Sequence, residues 1–177
     1  MRIISGKHKG RKFHPPNNLP TRPTTDFAKT GLFNILNNYF DFEEVKVLDL
    51  FCGTGNISYE FSSRGCTDIT SVDRDNGASG FVKKTATELN MTGLVVIRND
   101  VLQFIRNAAG SYDLIFAGPP YAMPEIDLLP DLILEKKMLR ESGWLILEHS
   151  PQHDFKNHPR INQVRNYSKT IFSIFTP

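Results

Sequence analysis

The sequence predicts an α/β domain built on a mostly parallel sheet covered on both faces. Three observations carry that prediction. From residue 45 onward, apolar strand-like runs alternate with helical patterns, which is the order that gives strand–helix–strand units. A glycine turn, Gly53-Thr54-Gly55, falls between the first such run and the next helical stretch. The last two β-rich runs, 161–167 and 170–175, are joined too tightly for a crossover, so they form an antiparallel edge pair.

The elements follow in order. Residues 2–5 and 11–14 are short extended segments around Gly6-Lys7-His8-Lys9-Gly10, a hairpin with a charged tip. Pro15, Pro16, Pro20 and Pro23 keep the following chain extended, because each lacks an N–H and biases its predecessor away from helix. Thr24, Thr25 and Asp26 are N-cap candidates, and Phe27, Leu32, Ile35, Leu36 and Tyr39 recur at helical spacing, so a helix is predicted over 26–39. Gly31 inside it costs about 1 kcal/mol relative to Ala. Strands are then predicted at 45–51, 68–73, 94–98, 112–117 and 144–148, with helices at 56–64, 77–90, 101–107 and 125–139. This organisation is a hairpin and helix extension, 1–40, on a core, 41–177, within one compact unit.

Composition narrows the class. Of the 177 residues 40% are apolar and 23% charged, a globular balance rather than a disordered one. No apolar run approaches the roughly 20 residues of a membrane span, and the basic, polar residues 1–11 lack a secretory apolar region. Cys52 and Cys66 alone can neither staple a fold of this size nor form a four-ligand zinc site. The expectation is a cytoplasmic protein without membrane or metal. The net charge of +2 hides an asymmetry: residues 1–31 hold seven Lys or Arg against one acid, a +6 arm on a −4 body. Arg2, Lys7, Lys9, Arg11, Lys12 and Arg22 in that arm point to contact with a polyanion such as a nucleic acid.

The glycine loop opens at the carboxyl edge of the predicted sheet, where glycines let a nucleotide approach the backbone. A lone Gly-x-Gly is weak evidence, and Ser58 stands where the dinucleotide fingerprint has its third glycine. Asp49, four residues before Gly53, is more informative. A pyrophosphate is repelled by an acid there, whereas a cationic ligand end is held. S-adenosylmethionine has an ammonium and a sulfonium and no phosphate. Asp73 closes the second strand and can accept from ribose hydroxyls. Asp100 follows the third strand; it either accepts from an adenine amino group or caps the next helix.

The fourth strand ends in Gly118-Pro119-Pro120-Tyr121. Two prolines stiffen that turn and leave carbonyls without competing local donors, and Tyr121 can stack on a flipped-out base. The segment resembles the Asp/Asn-Pro-Pro-Tyr/Phe motif of methyltransferases that act on exocyclic amines of bases, with Gly118 in the first position. In that motif the first side chain and the next carbonyl accept from the amine and turn its lone pair toward the methyl group.

Over nearly the whole chain, the sequence resembles bacterial small-subunit rRNA guanine-N2 methyltransferases. The resemblance lies in MRIISGKHKGRKF (1–13), TRPTTD (21–26), LFNIL (32–36), LDLFCGTG (48–55), SRG (63–65), VDRD (72–75), Asn99-Asp100 and PPY (119–121). It implies a Rossmann-like, seven-stranded methyltransferase sheet with an N-terminal β-hairpin and helix extension. It also implies S-adenosylmethionine as cofactor and methyl transfer to N2 of one guanine of 16S rRNA in an assembling small subunit. By the same resemblance, Asp49, Gly53 and Gly55 line the methionine end of the cofactor, with Phe51 and Asn56 counted among the cofactor positions. Asp73 holds the ribose and Asp100 the adenine. Pro119 and Tyr121 face the guanine, with Gly118 and Pro120 counted among the catalytic positions, while Arg22 and Thr24 belong to a segment closing over cofactor and RNA. The chain departs from the family at Gly118 and also at Phe27, Thr30 and Thr85, where Arg, Glu and Asn are usual. Two other functions stay open at this stage: a catalytically silent RNA-binding assembly factor, and an adenine-N6 methyltransferase sharing the Pro-Pro-Tyr logic.

Overall fold

A computed structural model describes residues 1–19 and 22–177; the expectations for Pro20 and Thr21 lie outside the described residues. Helix α1 (Asp26–Leu36) precedes β1 (Lys46–Leu50), α2 (Asn56–Ser63), β2 (Asp68–Asp73), α3 (Asn76–Glu88), β3 (Leu94–Arg98), α4 (Val101–Asn107) and β4 (Tyr112–Ala117). A 3₁₀ turn (Ile126–Leu128) then leads into α5 (Leu129–Glu135), followed by β5 (Leu139–His149), β6 (Ile161–Tyr167) and β7 (Thr170–Phe175). The strands form one seven-stranded sheet, ordered β3-β2-β1-β4-β5-β7-β6. β1 to β5 are parallel, and β7 runs antiparallel to both β5 and β6. The order reverses between β1 and β4, and the carboxyl ends of strands at such a switch point open a ligand crevice.

Strand alternation builds two cores. Val47, Ile69, Leu114, Phe116 and Ile146 face α1, α2 and α3. Leu48, Leu50, Val72, Ile115, Ala117, Leu145 and Leu147 face α4, α5 and the 3₁₀ turn. The predicted helix ends are trimmed: α1 stops at Leu36 because Asn37 to Phe40 close with shorter turns. β5 begins five residues earlier than predicted, with a register shift between Tyr112 and Leu114 that masks its start in the sequence pattern. Gly31 has a steric reason: a Cβ there would collide with the Tyr167 ring of β6.

The N-terminal hairpin is present, but it is a turn held by a few bonds rather than two strands. Ile3 N–H donates to Arg11 O, Phe13 N–H to Met1 O and Gly10 N–H to Ile3 O, with a single bridge, Arg2 to Lys12. Its order comes from α2. The Glu60 carboxylate accepts from Ile4 N at 2.8 Å and Ser5 N at 3.1 Å, and Ser63 accepts from Lys7 N and His8 N. Glu60 also meets Arg64 Nε at 2.8 Å and Lys29 Nζ at 3.4 Å.

Lys29 corrects the charge count of the arm. Its side chain is fully buried, donating to Arg2 O at 2.5 Å and Asn56 Oδ1 at 2.8 Å, so its charge faces Glu60 and is withdrawn from any polyanion. Arg2 pairs with Asp26 at 3.1 Å at the surface. The exposed basic residues of the arm are therefore concentrated at Lys7, Lys9, Arg11 and Lys12.

Two stability outcomes follow. Glu60→Ala leaves a buried lysine and two hairpin N–H groups unpaired, and should lower stability by about 3–5 kcal/mol. The measurement is the urea midpoint at unchanged slope; a shift no larger than a surface substitution gives, about 0.5 kcal/mol, would remove Glu60 from this role. Tyr59 has its hydroxyl buried without a hydrogen-bond partner among the described residues. Tyr59→Phe should therefore leave stability unchanged or raise it by about 1 kcal/mol, and a clear loss in the same assay would reveal a partner.

Candidate active site

The carboxyl ends of the parallel strands open into a cleft of about 840 Å³, within the range of small-molecule sites. Asp49 and the loop after β1, Asp73 after β2, Asp100 after β3, Gly118 to Glu125 after β4 and Glu148 of β5 line it, with Arg22, Pro23 and Thr24 of the arm across its mouth. All the positions predicted for cofactor and base except Gly55 thus line one cavity, and Gly55 forms the turn beneath it. Of the predicted RNA positions only Arg22 reaches this cleft; Arg2, Lys7, Lys9, Arg11 and Lys12 lie on the hairpin.

The loop is shaped by left-handed residues. Phe51, Gly53 and Gly55 have φ of 59°, 51° and 86°, and a Cβ at Gly55 would press into the Tyr59 ring at 2.6 Å. Phe51 holds a conformation rare for a bulky residue. Ser58, in place of the third fingerprint glycine, has a job: its N–H and hydroxyl both donate to Asp49 Oδ2, at 3.1 and 2.5 Å, and its oxygen meets Ser71 Oγ at 2.7 Å.

Asp49 is 1% exposed. Burial pushes its carboxyl up to about 7, against the opposing pull of the Ser58 bonds, with Asp73 and Glu148 adding repulsion. Asp73 latches the loop, accepting Gly53 N–H on one oxygen and Asp75 N–H on the other, each at 2.9 Å. Asp100 does cap α4, accepting Gln103 N–H on Oδ1 at 3.0 Å, while also lining the cleft. Asn56 lines the cleft too, but both ends of its amide are engaged, receiving Lys29 and donating to Thr24 O at 2.8 Å.

Tyr121 is in the cleft, with its ring face covered by the Arg22 guanidinium at 4.2 Å and its hydroxyl donating to Glu148 Oε1 at 3.2 Å. Glu148 was not singled out by the sequence; unlike Asp49 it precedes no glycine turn, and no motif residue follows it. It is 5% exposed, accepts Thr24 Oγ1 at 2.5 Å, and burial raises its carboxyl above the usual range. Cys52 is buried in the loop, and burial pushes its thiol far up, the state of an inert packing residue. His149 and His153 are closer than their spacing suggested, 6.2 Å between rings, yet both nitrogens of His149 are engaged by Ser150 O and Ser173 Oγ.

Acids thus outnumber bases in the lining: Asp49, Asp73, Asp75, Asp100, Glu125 and Glu148 against Arg22 and Arg74. That charge suits a nucleoside ligand with a cationic end, and S-adenosylmethionine is the cofactor this cleft fits.

Comparison with known proteins agrees. The family described as Conserved hypothetical protein 95 matches residues 1–176. The chain belongs to this family. YlbH of Bacillus subtilis (strain 168), provisionally named an rRNA methyltransferase, is 39% identical over 84% of this chain and 82% of its own. The Ribosomal RNA small subunit methyltransferase D of Buchnera aphidicola (strain Bp) is 30% identical over 84% of this chain and 75% of its own. Among solved structures, the yhhF protein of Escherichia coli, provisionally named a methyltransferase, superposes with a TM-score of 0.87 at 20% identity, covering 99% of this chain and 96% of that one. The chain thus shares the Rossmann-like α/β fold of that structure.

Asp49 makes the cleft pH-sensitive in a defined direction. Its carboxyl, up to about 7 from 3.8, stays protonated in the folded protein over a range where the unfolded chain has ionised. The cofactor-free protein should therefore lose stability as pH rises from about 4 to 7 and level off above that, with Glu148 contributing in the same sense. Asp49→Asn should flatten that slope in thermal melts and weaken cofactor binding at least about 10-fold by calorimetry. An unchanged slope would mean Asp49 is already ionised in the folded state.

Proposed function

We propose that the protein transfers a methyl group from S-adenosylmethionine to the exocyclic N2 of a guanine in 16S rRNA of the small ribosomal subunit. The observation that carries this reading is the convergence of the acidic cofactor cleft, the Gly118-Pro119-Pro120-Tyr121 turn and the arm segment Arg22–Thr24 on one cavity. The N-terminal resemblance and the relatives named for small-subunit rRNA methylation support guanine N2 and 16S rRNA over an adenine-N6 target.

In this reading Asp49 faces the cationic end of the cofactor, Gly53 and Gly55 let the backbone approach it, and Asp73 and Asp100 take the ribose and adenine. Phe51 and Asn56 shape the loop around it. The prolines fix carbonyls toward the amine, and Tyr121 offers its ring to the guanine once Arg22 moves off it. Lys7, Lys9, Arg11, Lys12 and Arg22 meet phosphates, with Arg2 beside them; residues 1–40 form the RNA-facing part and 41–177 the catalytic core. The chemistry supplied by the cofactor is an electrophilic methyl; the chain orients, desolvates and accepts hydrogen bonds.

A second reading, a silent RNA-binding assembly factor, is favoured by one observation: Gly118 offers no side-chain acceptor. Incubation with labelled cofactor and unmodified small subunits, followed by nucleoside digestion, decides between them. The expected product is label on N2-methylguanosine; RNA binding without label would establish the second reading, and label on adenine would refute the base assignment. Alanine at Lys7, Lys9, Arg11 and Lys12 together should weaken RNA binding and make its log–log salt slope shallower by about 0.7–0.9 for each phosphate left unneutralised, with cofactor affinity unchanged. A slope identical to the native protein would place the RNA elsewhere.

A further inference from the structure

Gly118 removes a side chain, yet the backbone does not require glycine there. It lies outside the left-handed residues, and a Cβ would meet Phe116 Cε1 at 3.1 Å, a contact a small ring shift relieves. The place of the usual acceptor is therefore bounded by the movable Phe116 ring and not by backbone, rather than being a turn that only glycine can make.

The neighbouring strand carries an acid into the same cleft. β4 and β5 pair in parallel, Phe116 with Ile146 and Ala117 with Leu147. One step further along this register sets Gly118 beside Glu148, on strands about 4.8 Å apart. Gly118 N–H still donates to Leu50 O, and Glu148 still pairs with Phe172, so both positions keep the sheet's alternation. Asp49 pairs with Phe116, so Asp49, position 118 and Glu148 share one face of the sheet. Glu148 lines the same cleft as Gly118 and Pro119. Its two oxygens each accept one hydroxyl, from Thr24 and Tyr121, and a carboxylate offers about four acceptor sites.

We propose that the Glu148 carboxylate is the acceptor for the exocyclic amine of the substrate base, in the space that residue 118 leaves open. This rests on the reading of the cleft as a base-amine methyltransferase site and names a further catalytic residue within it. The amine nitrogen is held by N–H bonds to Glu148 and to a carbonyl of the proline turn, with its lone pair toward the methyl carbon. As the N–C bond forms the C–S bond breaks, and its electron pair stays on sulfur, which becomes a neutral thioether. The surplus proton on nitrogen passes to Glu148 and then to water. The groups facing Glu148 are Arg22 and Thr24 from the arm, Tyr121 from the turn after β4 and Asp49 from β1. Burial makes this carboxyl a better proton acceptor than a solvated one.

The test uses Glu148→Gln, Gly118→Asn and the double variant, with labelled cofactor at saturation and unmodified small subunits, and with cofactor affinity measured separately by calorimetry. Native transfer to guanine N2 should rise with pH and level off. Glu148→Gln should lower it by about 100-fold and flatten the profile, with the cofactor Kd changed less than about 2-fold and native-like circular dichroism. Gly118→Asn in the Glu148→Gln background should restore at least about 10-fold, because an amide oxygen then re-enters the open space. Transfer within about 3-fold of native in Glu148→Gln overturns the proposal. So does a loss that tracks a weakened cofactor Kd, or a loss that Gly118→Asn leaves unrepaired. Failure of the underlying function looks different: no variant, including Gly118→Asn, would place label on guanine N2, and the proposal would fall with it.

Discussion

The front of this molecule depends on one buried carboxylate. Glu60 sits in α2 with no exposure and is surrounded by donors from three pieces of chain: hairpin N–H groups, Lys29 of α1 and Arg64, which caps the end of α2. A hairpin with a basic tip has little apolar surface of its own to bury; Ile3, and Phe13 against Tyr59, are its main anchors. Charge-assisted bonds in a low-dielectric setting supply what the missing core does not. Lys29 then extends the network through Asn56 to the Thr24 carbonyl, and Thr24 reaches Glu148. The arm and one wall of the cleft are thus set by a single connected system.

The cleft itself runs against the fold's interest. Asp49 and Glu148 are both pushed toward their neutral forms by burial, and the Glu148 charge adds to the difficulty at Asp49. A protein selected for stability alone has no use for two buried acids on parallel strands that flank β4 on either side. A cationic ligand reverses that balance, since the field that is unfavourable in its absence becomes attractive in its presence. Ser58 moderates the cost at Asp49 by giving one oxygen two donors, its N–H and its hydroxyl, and Ser71 Oγ meets that hydroxyl in turn.

Much of this was legible in the sequence, for reasons that can be named. The order of the sheet's elements follows from alternating apolar runs and glycine turns, and Asp49, Gly53, Gly55, Asp73 and Tyr121 fall within or beside such turns. The start of β5 was hidden because its first residues, Leu139 to Gly143, lie across a register shift, where pairing rather than apolar pattern defines the strand. Lys29 reads as a surface charge because nothing local announces burial; its partner Glu60 is 31 residues away. Glu148 was missed for a related reason, since the residues it bonds, Thr24 and Tyr121, are 124 and 27 positions away. The Tyr121 ring was expected to meet a base, and in this structure it meets Arg22.

The Thr24 to Glu148 bond joins residues 124 positions apart. Chains are synthesised from the N-terminus, so the arm exists long before α2, and longer still before β5, the two elements that fix it. Contacts of such sequence separation form late because their loop-closure cost comes first. The newborn arm is consequently a loose, cationic thread until the sheet behind it is nearly finished. Its bond to Glu148, which closes one wall of the cleft, needs β5 to be in place first.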